Sequence, residues 1–404
     1  VDFTCSGWHH GALRADRDGL PKEAFLSGHF MPYNMLHPLG RRFYLEMWRE
    51  GARTLRKLGA EPVCYELFNE PGPTVLSPEG RREFVRRMQV KYRTIDALNR
   101  VWKTNYSSFS EVGGFSRLAE NLVRNIDWIL FTEDVFYELC REGIRTIREV
   151  DPRPEAGFCI QPVNLRTNGI NNYKINRLMS WISSSTGGGD SVQGHFLRGM
   201  ADGKPISDGE MYTGNTRDSF RNAYLTEFSR GFNVSYLFKW DKRSMDWVTF
   251  RKTPDGKQEF DIEKSIAKAR RSAEIFRYNV LNPWAVPTEA LRGIQDAGRD
   301  IADVAFLFAP RDRGVPRQAA LLYSYPTDHV AVALGHTCRR LLESYSLALE
   351  YAHIPQDMMF EEQLPEGRQN RYRVLIAAGV DAVYEKTPEY LRQFVRSGGT
   401  LLLG

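Results

Sequence analysis

Short apolar strand candidates alternate with amphipathic helix candidates about five times across the first 280 residues, and that alternation dictates a parallel sheet, since each helix must return the chain to the end where the next strand starts. The pattern is explicit in the residues. Tyr44, Trp48, Ala52 and Leu55 recur on one helical face within Arg42 to Leu58, and Gly59 ends that helix. Val63 to Phe68 reads as a strand, stopped by Asn69-Glu70-Pro71-Gly72. A long helical region follows from Ser77 to Trp102, and another helix from Glu133 to Val150. Ala156 to Pro162 is a strand, Ser183 to Gly189 a loop and Ser191 to Phe196 a short strand. Pro205 to Met211 is a strand followed by a helix at Phe220 to Arg230. Val234 to Trp240 is then a strand and Ile262 to Tyr278 a helix.

After Pro283 and Pro287 the character changes. Ala302 to Phe308 reads as a buried strand, Val330 to Tyr351 as a helix and Tyr372 to Ala378 as a strand. Pro388 to Val395 is a helix leading through Ser397-Gly398-Gly399 into a last strand. Length supports two domains, since a chain of 404 residues exceeds one ordinary core. The expectation is an α/β chain with a sheet unit over 1–285 and a smaller open-sheet domain over 300–404. The chain opens on Val1-Asp2-Phe3-Thr4-Cys5 and stops at Leu401-Leu402-Leu403-Gly404 inside a strand pattern, so both ends read as cut and the compartment stays open.

Several classes fall away. The excess of Lys and Arg (55) over Asp and Glu (50) is small and dispersed, with no basic run interleaved with aromatics, which argues against nucleic acid as a partner. No apolar run is long enough for a bilayer. The 5 cysteines form no C-x-x-C pair, and Cys64, Cys140 and Cys159 lie in apolar stretches, where cysteine acts as a small hydrophobe. No H-E-x-x-H, zinc-spaced Cys/His cluster or glycine-rich phosphate loop is present, so neither a metal nor another cofactor is expected.

Two carboxylates carry the chemistry. Phe68-Asn69-Glu70-Pro71 closes a strand, and carboxyl groups at the C-terminal ends of parallel barrel strands are placed to act on a substrate. Glycoside cleavage needs two of them: one protonates the leaving oxygen, and in retaining enzymes the other attacks the anomeric carbon from about 5–5.5 Å away. Pro205 to Tyr212 offers the second, with Asp208 and Glu210 two apart near the strand end. Glu210 is preferred because Gly209 permits close approach and Tyr212 can hydrogen-bond it. Asn69 can bond a sugar 2-hydroxyl, and Trp240 at the end of Tyr236 to Asp241 can floor the sugar ring. The competing readings are a polar turn for Glu70, a solvated acidic loop for Glu210 and plain core for Trp240.

Together these residues resemble the retaining glycoside hydrolases with a (β/α)8 TIM barrel, and most closely glycoside hydrolase family 42, the β-galactosidases. Lys91-Tyr92-Arg93-Thr94-Ile95-Asp96-Ala97-Leu98-Asn99-Arg100-Val101-Trp102-Lys103-Thr104 resembles that family's helix after the acid/base strand. Ala302 to Gly404 resembles its smaller flavodoxin-like or amidotransferase-like α/β domain, which implies homo-oligomers, trimers in that family. The resemblance implies Glu70 as acid/base at the fourth strand, Glu210 as nucleophile at the seventh, Trp240 at the eighth, and β-glycosidic bonds of an oligo- or polysaccharide as substrate. Val1 to Cys5 then becomes the third strand, with Trp8, His9 and His10 at its mouth as sugar contacts or a surface loop, and the N-terminal strands before it missing. His195, ending the sixth strand, is a further substrate-contact candidate. Alternatives are a mannosidase or endo-acting polysaccharide hydrolase of the same clan, or a non-catalytic carbohydrate-binding protein on a decayed barrel.

Overall fold

The computed structural model describes residues 2–4, 19–113, 121–162, 169–185, 191–211, 216–237, 250–254, 258–265, 267, 289–307, 317–335 and 339–404. By its contacts the chain forms two compact units: Val1–Ser184, His195–Pro205 and Pro316–Gly404 make the first, Ser185–Gly194 and Ile206–Val315 the second.

In the first unit β1 (Asp2–Thr4) precedes a hairpin of β2 (Phe25–Gly28) and β3 (Met31–Tyr33), helix α1 (Pro38–Lys57) and strand β4 (Cys64–Asn69). Helices α2 (Pro78–Tyr92), α3 (Ile95–Trp102) and α4 (Leu122–Val150) lead to β5 (Gly157–Gln161), α5 (Asn172–Asn176) and β6 (Ile182–Ser184). The order β1-β4-β5 is parallel throughout, with Phe3 opposite Tyr65 and Tyr65 opposite Phe158. Every residue of β4 is buried, as expected of a strand covered on both faces. Helix α1 buries Gly40, Tyr44, Trp48 and Ala52, one stripe of its surface. Tyr44, Trp48, Phe68 and Phe136 pack ring against ring at 5.3–5.9 Å between centroids, and the Trp48 indole N–H donates to the Leu67 carbonyl on β4 at 3.3 Å. Each such ring, fully buried, contributes roughly 3 kcal/mol.

Helix α6 (Ser191–Ala201) follows β6. In the second unit β7 (Ile206–Met211) pairs in parallel with β8 (Val234–Leu237) across helix α7 (Arg217–Ser229). An antiparallel ribbon of β9 (Phe250–Lys252) and β10 (Gln258–Phe260) and helix α8 (Glu289–Val304) complete its described part. The chain returns to the first unit with β11 (Ala319–Tyr323), α9 (Tyr325–Ala333), α10 (Arg339–Tyr351), β12 (Gln356–Phe360), β13 (Val374–Ala377), α11 (Thr387–Arg396) and β14 (Thr400–Leu403). These four strands form an all-parallel sheet in the order β12-β11-β13-β14, the second-first-third-fourth order of doubly wound sheets. Within this unit Tyr173 stacks on Phe360 and Phe196 packs on Tyr323, so aromatic contacts join α5 and α6 to that sheet.

Four expectations change. The helical region from Ser77 to Trp102 breaks at Arg93 (φ 65°), because Thr94 caps a new helix by accepting from the Ala97 N–H at 3.2 Å. The segment from Ser191 to Phe196 opens helix α6 instead of forming a strand: Val192, Phe196 and Met200 are buried at a spacing of four, and the sixth strand is β6. Ala302 to Phe308 is not a strand; through Leu307 it is the end of α8 and a 3-10 turn, an ambiguity inherent in short apolar runs. Val330 to Tyr351 is two helices, α9 and α10, with 336–338 outside the described residues. The expected helix from Ile262 lies mostly outside them as well.

Candidate active site

Strand β4 carries the first carboxylate. Its pairing with β5 runs regularly to Glu66 opposite Cys159, then shifts so that Asn69 faces Gln161, which sets Leu67 and Phe68 against Ile160 alone. Such a bulge bends a strand and re-aims the side chains beyond it. Glu70 follows with φ 45°, in the left-handed region that costs a non-glycine residue about 1–3 kcal/mol. Pro71 adds to the strain, since the residue before a proline favours extended backbone. Two hydrogen bonds hold the conformation. The Glu70 N–H donates to the Gln161 carbonyl at 2.6 Å, and the Glu70 carbonyl accepts from His29 Nδ1 at 2.9 Å. Asn69 is buried, and its Oδ1 has no hydrogen-bond partner among the described residues. A buried acceptor left that way costs about 1–3 kcal/mol, so it is a group poised to accept.

The second carboxylate sits on a strand of the same construction. Ser207 and Asp208 of β7 face Val234 and Ser235, and then Met211 faces Leu237, so Gly209 and Glu210 together oppose Tyr236. The bulge breaks the alternation that would have put Asp208 and Glu210 on one face. Asp208 is fully buried and its Oδ1 accepts from the Glu210 backbone N–H at 3.0 Å, whereas Glu210 is half-buried. Asp208 therefore shapes the backbone, and Glu210 is the carboxylate the strand presents. Opposite Asp208 the Ser235 hydroxyl donates to buried Glu227, and burial together with the charges of Glu227 and Asp208 pushes the Tyr224 hydroxyl up to about 12.

Glu70 and Asn69 belong to the first unit and Glu210 to the second. Tyr212, Trp240, Trp8, His9 and His10 lie outside the described residues. His195 is not at a strand end: it is on α6, buried, with Arg198 Nη2 at 2.7 Å from Nδ1 and Glu350 Oε1 at 2.8 Å from Nε2. Arginine only donates, so Nδ1 accepts and Nε2 carries the proton to Glu350. Both ring nitrogens are thus bonded to protein groups, a structural task for His195.

The segment that most resembled a family signature has a structural task. Lys91, Tyr92 and Trp102 converge on the buried carboxylate of Asp127, at 2.5, 2.6 and 2.9 Å. Asn99 closes the turn after α3, donating to the Tyr106 carbonyl at 2.8 Å and accepting from Thr104 at 2.9 Å. Sequence reading missed Asp127 because a lone acid in an apolar helix carries no local mark. It also missed His29, since the loop His29-Phe30 lacks the glycine-asparagine chemistry that announces a tight hairpin.

Comparison with known proteins gives the chain's similarities. The beta-galactosidase family, glycoside hydrolase family 42, matches residues 27–185, which contain Glu70 and the Asp127 cluster. Beta-galactosidase BglY of Alicyclobacillus acidocaldarius is 21% identical over 434 residues, 95% of this chain and 58% of the relative. The beta-galactosidase of Bacillus circulans sp. alkalophilus superimposes with a TM-score of 0.77 at 14% identity, over 99% of this chain and 60% of that one. The cold-adapted beta-galactosidase of Rahnella sp. R3 gives 0.74 at 18% identity, over 94% and 56%. The chain thus spans a little under two thirds of the length of these relatives. Its fold is the α/β fold of the beta-galactosidase structures, with parallel sheets. In sequence, its residues 27–185 are similar to the beta-galactosidases of glycoside hydrolase family 42.

Proposed function

We propose that the protein is a retaining β-glycosidase acting on β-galactosides, with Glu70 as general acid/base and Glu210 as nucleophile. The observation that carries this reading is the strained left-handed backbone of Glu70, at the end of a bulged, fully buried strand inside the family match. Strain of this kind persists where the surroundings over-determine a conformation, and it clusters at active sites. In the first step Glu70 protonates the glycosidic oxygen while Glu210 attacks the anomeric carbon; in the second, water hydrolyses the glycosyl-enzyme with Glu70 as base. Asn69 Oδ1 accepts from the sugar 2-hydroxyl, a bond that strengthens as charge develops at the ring. Tyr212 steadies Glu210, and Trp240, Trp8 and His9 line the sugar site.

The same reading has an architectural part. Residues 1–285 belong to a catalytic (β/α)8 barrel, and 300–404 form a flavodoxin-like domain. The order β12-β11-β13-β14 supports the latter. Trimers are the expected assembly, and light scattering tests it.

The test of function is a panel of aryl glycosides of different sugars and leaving groups. Glu210→Gln abolishes turnover of all of them. Glu70→Gln keeps kcat/KM for leaving groups that depart without a proton and loses about 10²–10⁴-fold for those that need one. Equal residual activity in the two variants refutes the assignment, and preference for a mannoside over a galactoside refutes the sugar.

A further inference from the structure

The mechanism above asks Glu70 to hold a carboxyl group at a fixed point, yet its backbone is in a conformation it would leave if released. Two peptide groups flank its Cα. The one before is tied by Glu70 N–H to the Gln161 carbonyl on β5, which is ordinary continuation of the sheet. The one after has no such recourse, because Pro71 supplies no N–H and the chain has left the ladder. Its carbonyl is taken by a side chain from 41 residues earlier, His29.

His29 does not arrive there by chance of a rotamer. The tip of the hairpin β2–β3 is docked on the Glu70 turn by its backbone: His29 and Gly72 form an antiparallel bridge, and the Gly72 N–H donates to the His29 carbonyl at 2.8 Å. The approach is so close that it requires glycine on both sides. A Cβ on Gly28 would lie 2.5 Å from the Gly72 carbonyl oxygen, and a Cβ on Gly72 2.8 Å from the His29 Cβ. Phe30, at φ 51°, turns the tip and sets its ring edge-on to the imidazole at 4.2 Å. Because a carbonyl oxygen only accepts, Nδ1 carries the hydrogen, and it does so in the neutral and the charged ring alike.

We propose that His29 is a positioning residue for the acid/base: through Nδ1 it fixes the Glu70–Pro71 peptide, and with it the direction in which the Glu70 side chain leaves the backbone. This rests on the reading of Glu70 as acid/base. Removing the bond lets the left-handed residue relax, and displacement of a catalytic group by about 1 Å costs on the order of 10²-fold in the step it serves. The loss falls on the proton transfers of Glu70, donation in the first step and base catalysis in the second, and kcat/KM reads the first.

The experiment measures kcat/KM of the whole protein on aryl galactosides of graded leaving-group acidity for His29→Ala, His29→Asn, Gly72→Ala and Glu70→Gln. His29→Ala should lose about 10- to 100-fold on poor leaving groups and less than about two-fold on the best. His29→Asn, whose amide nitrogen can stand where Nδ1 stood, should recover most of the loss. Gly72→Ala, which pushes the hairpin tip away from the other side, should reproduce the His29→Ala pattern. A His29→Ala loss that is the same for every leaving group, or absent, overturns the proposal. Glu70→Gln separates the two ideas: if it shows no leaving-group dependence, the acid/base reading has failed; if it does and His29→Ala is flat, only the clamp has failed. His29 is exposed, so folding of the alanine variant is not in question.

Discussion

Glu362 gives the most quantitative prediction. It stands in the 3-10 turn Glu361–Glu366, where Oε1 accepts from the Tyr384 hydroxyl at 2.9 Å and Oε2 is buried without a hydrogen-bond partner among the described residues. Burial, with the neighbouring charge of Glu361, raises its pKa from 4.5 to about 7; the Tyr384 hydroxyl and His329 oppose the shift without cancelling it. Because the folded value exceeds the unfolded one, the folded state keeps a proton that the unfolded state gives up. The stabilisation is therefore complete below about pH 4.5 and is lost as pH rises through 7. At about 1.4 kcal/mol per unit the full swing approaches 3 kcal/mol, an upper bound for a partly solvated group. Glu362→Gln removes the titration while keeping an acceptor for Tyr384. Thermal unfolding of both proteins at pH 5 and pH 8.5 should show the variant gaining on the parent as pH rises, by several degrees at about 2 °C per kcal/mol. A difference that does not change with pH would refute the argument, whatever its sign at one pH.

Other expectations follow from the same contacts. Asp127→Asn weakens three bonds to α2 and α3 and should cost about 2–3 kcal/mol in denaturant unfolding while leaving KM for galactosides unchanged. His195→Gln should lower stability by about 1–3 kcal/mol but leave kcat/KM within two-fold, roughly the range of a structural residue; a hundred-fold loss would restore His195 to the substrate site.

The parallel architecture was legible because strand and helix periods differ so strongly: Tyr44, Trp48 and Ala52 are buried as their spacing required, β5, β7 and β8 lie within or at the bounds read from the residues, and β4 runs one residue past them to Asn69. What escaped depended on tertiary context. Ser191 to Phe196 and Ala302 to Phe308 are too short for their pattern to separate strand from helix, and only their neighbours decide. Glu70 and Glu210 could be picked out as carboxylates at strand ends, but not the bulges that aim them, since a bulge is a property of two strands in register. Nor could the chain announce that its signature residues Lys91, Tyr92 and Trp102 serve one buried acid, or that His29 reaches Glu70.

The central claim is that Glu210 attacks the sugar. A fluorinated, activated galactoside that stalls after the first step, followed by peptide mapping by mass spectrometry, tests it most directly. The account predicts one sugar per chain, as an ester on the peptide containing Glu210, and no label in Glu210→Gln. Label on Asp208 or Glu227, or undiminished label in the Gln variant, would contradict it.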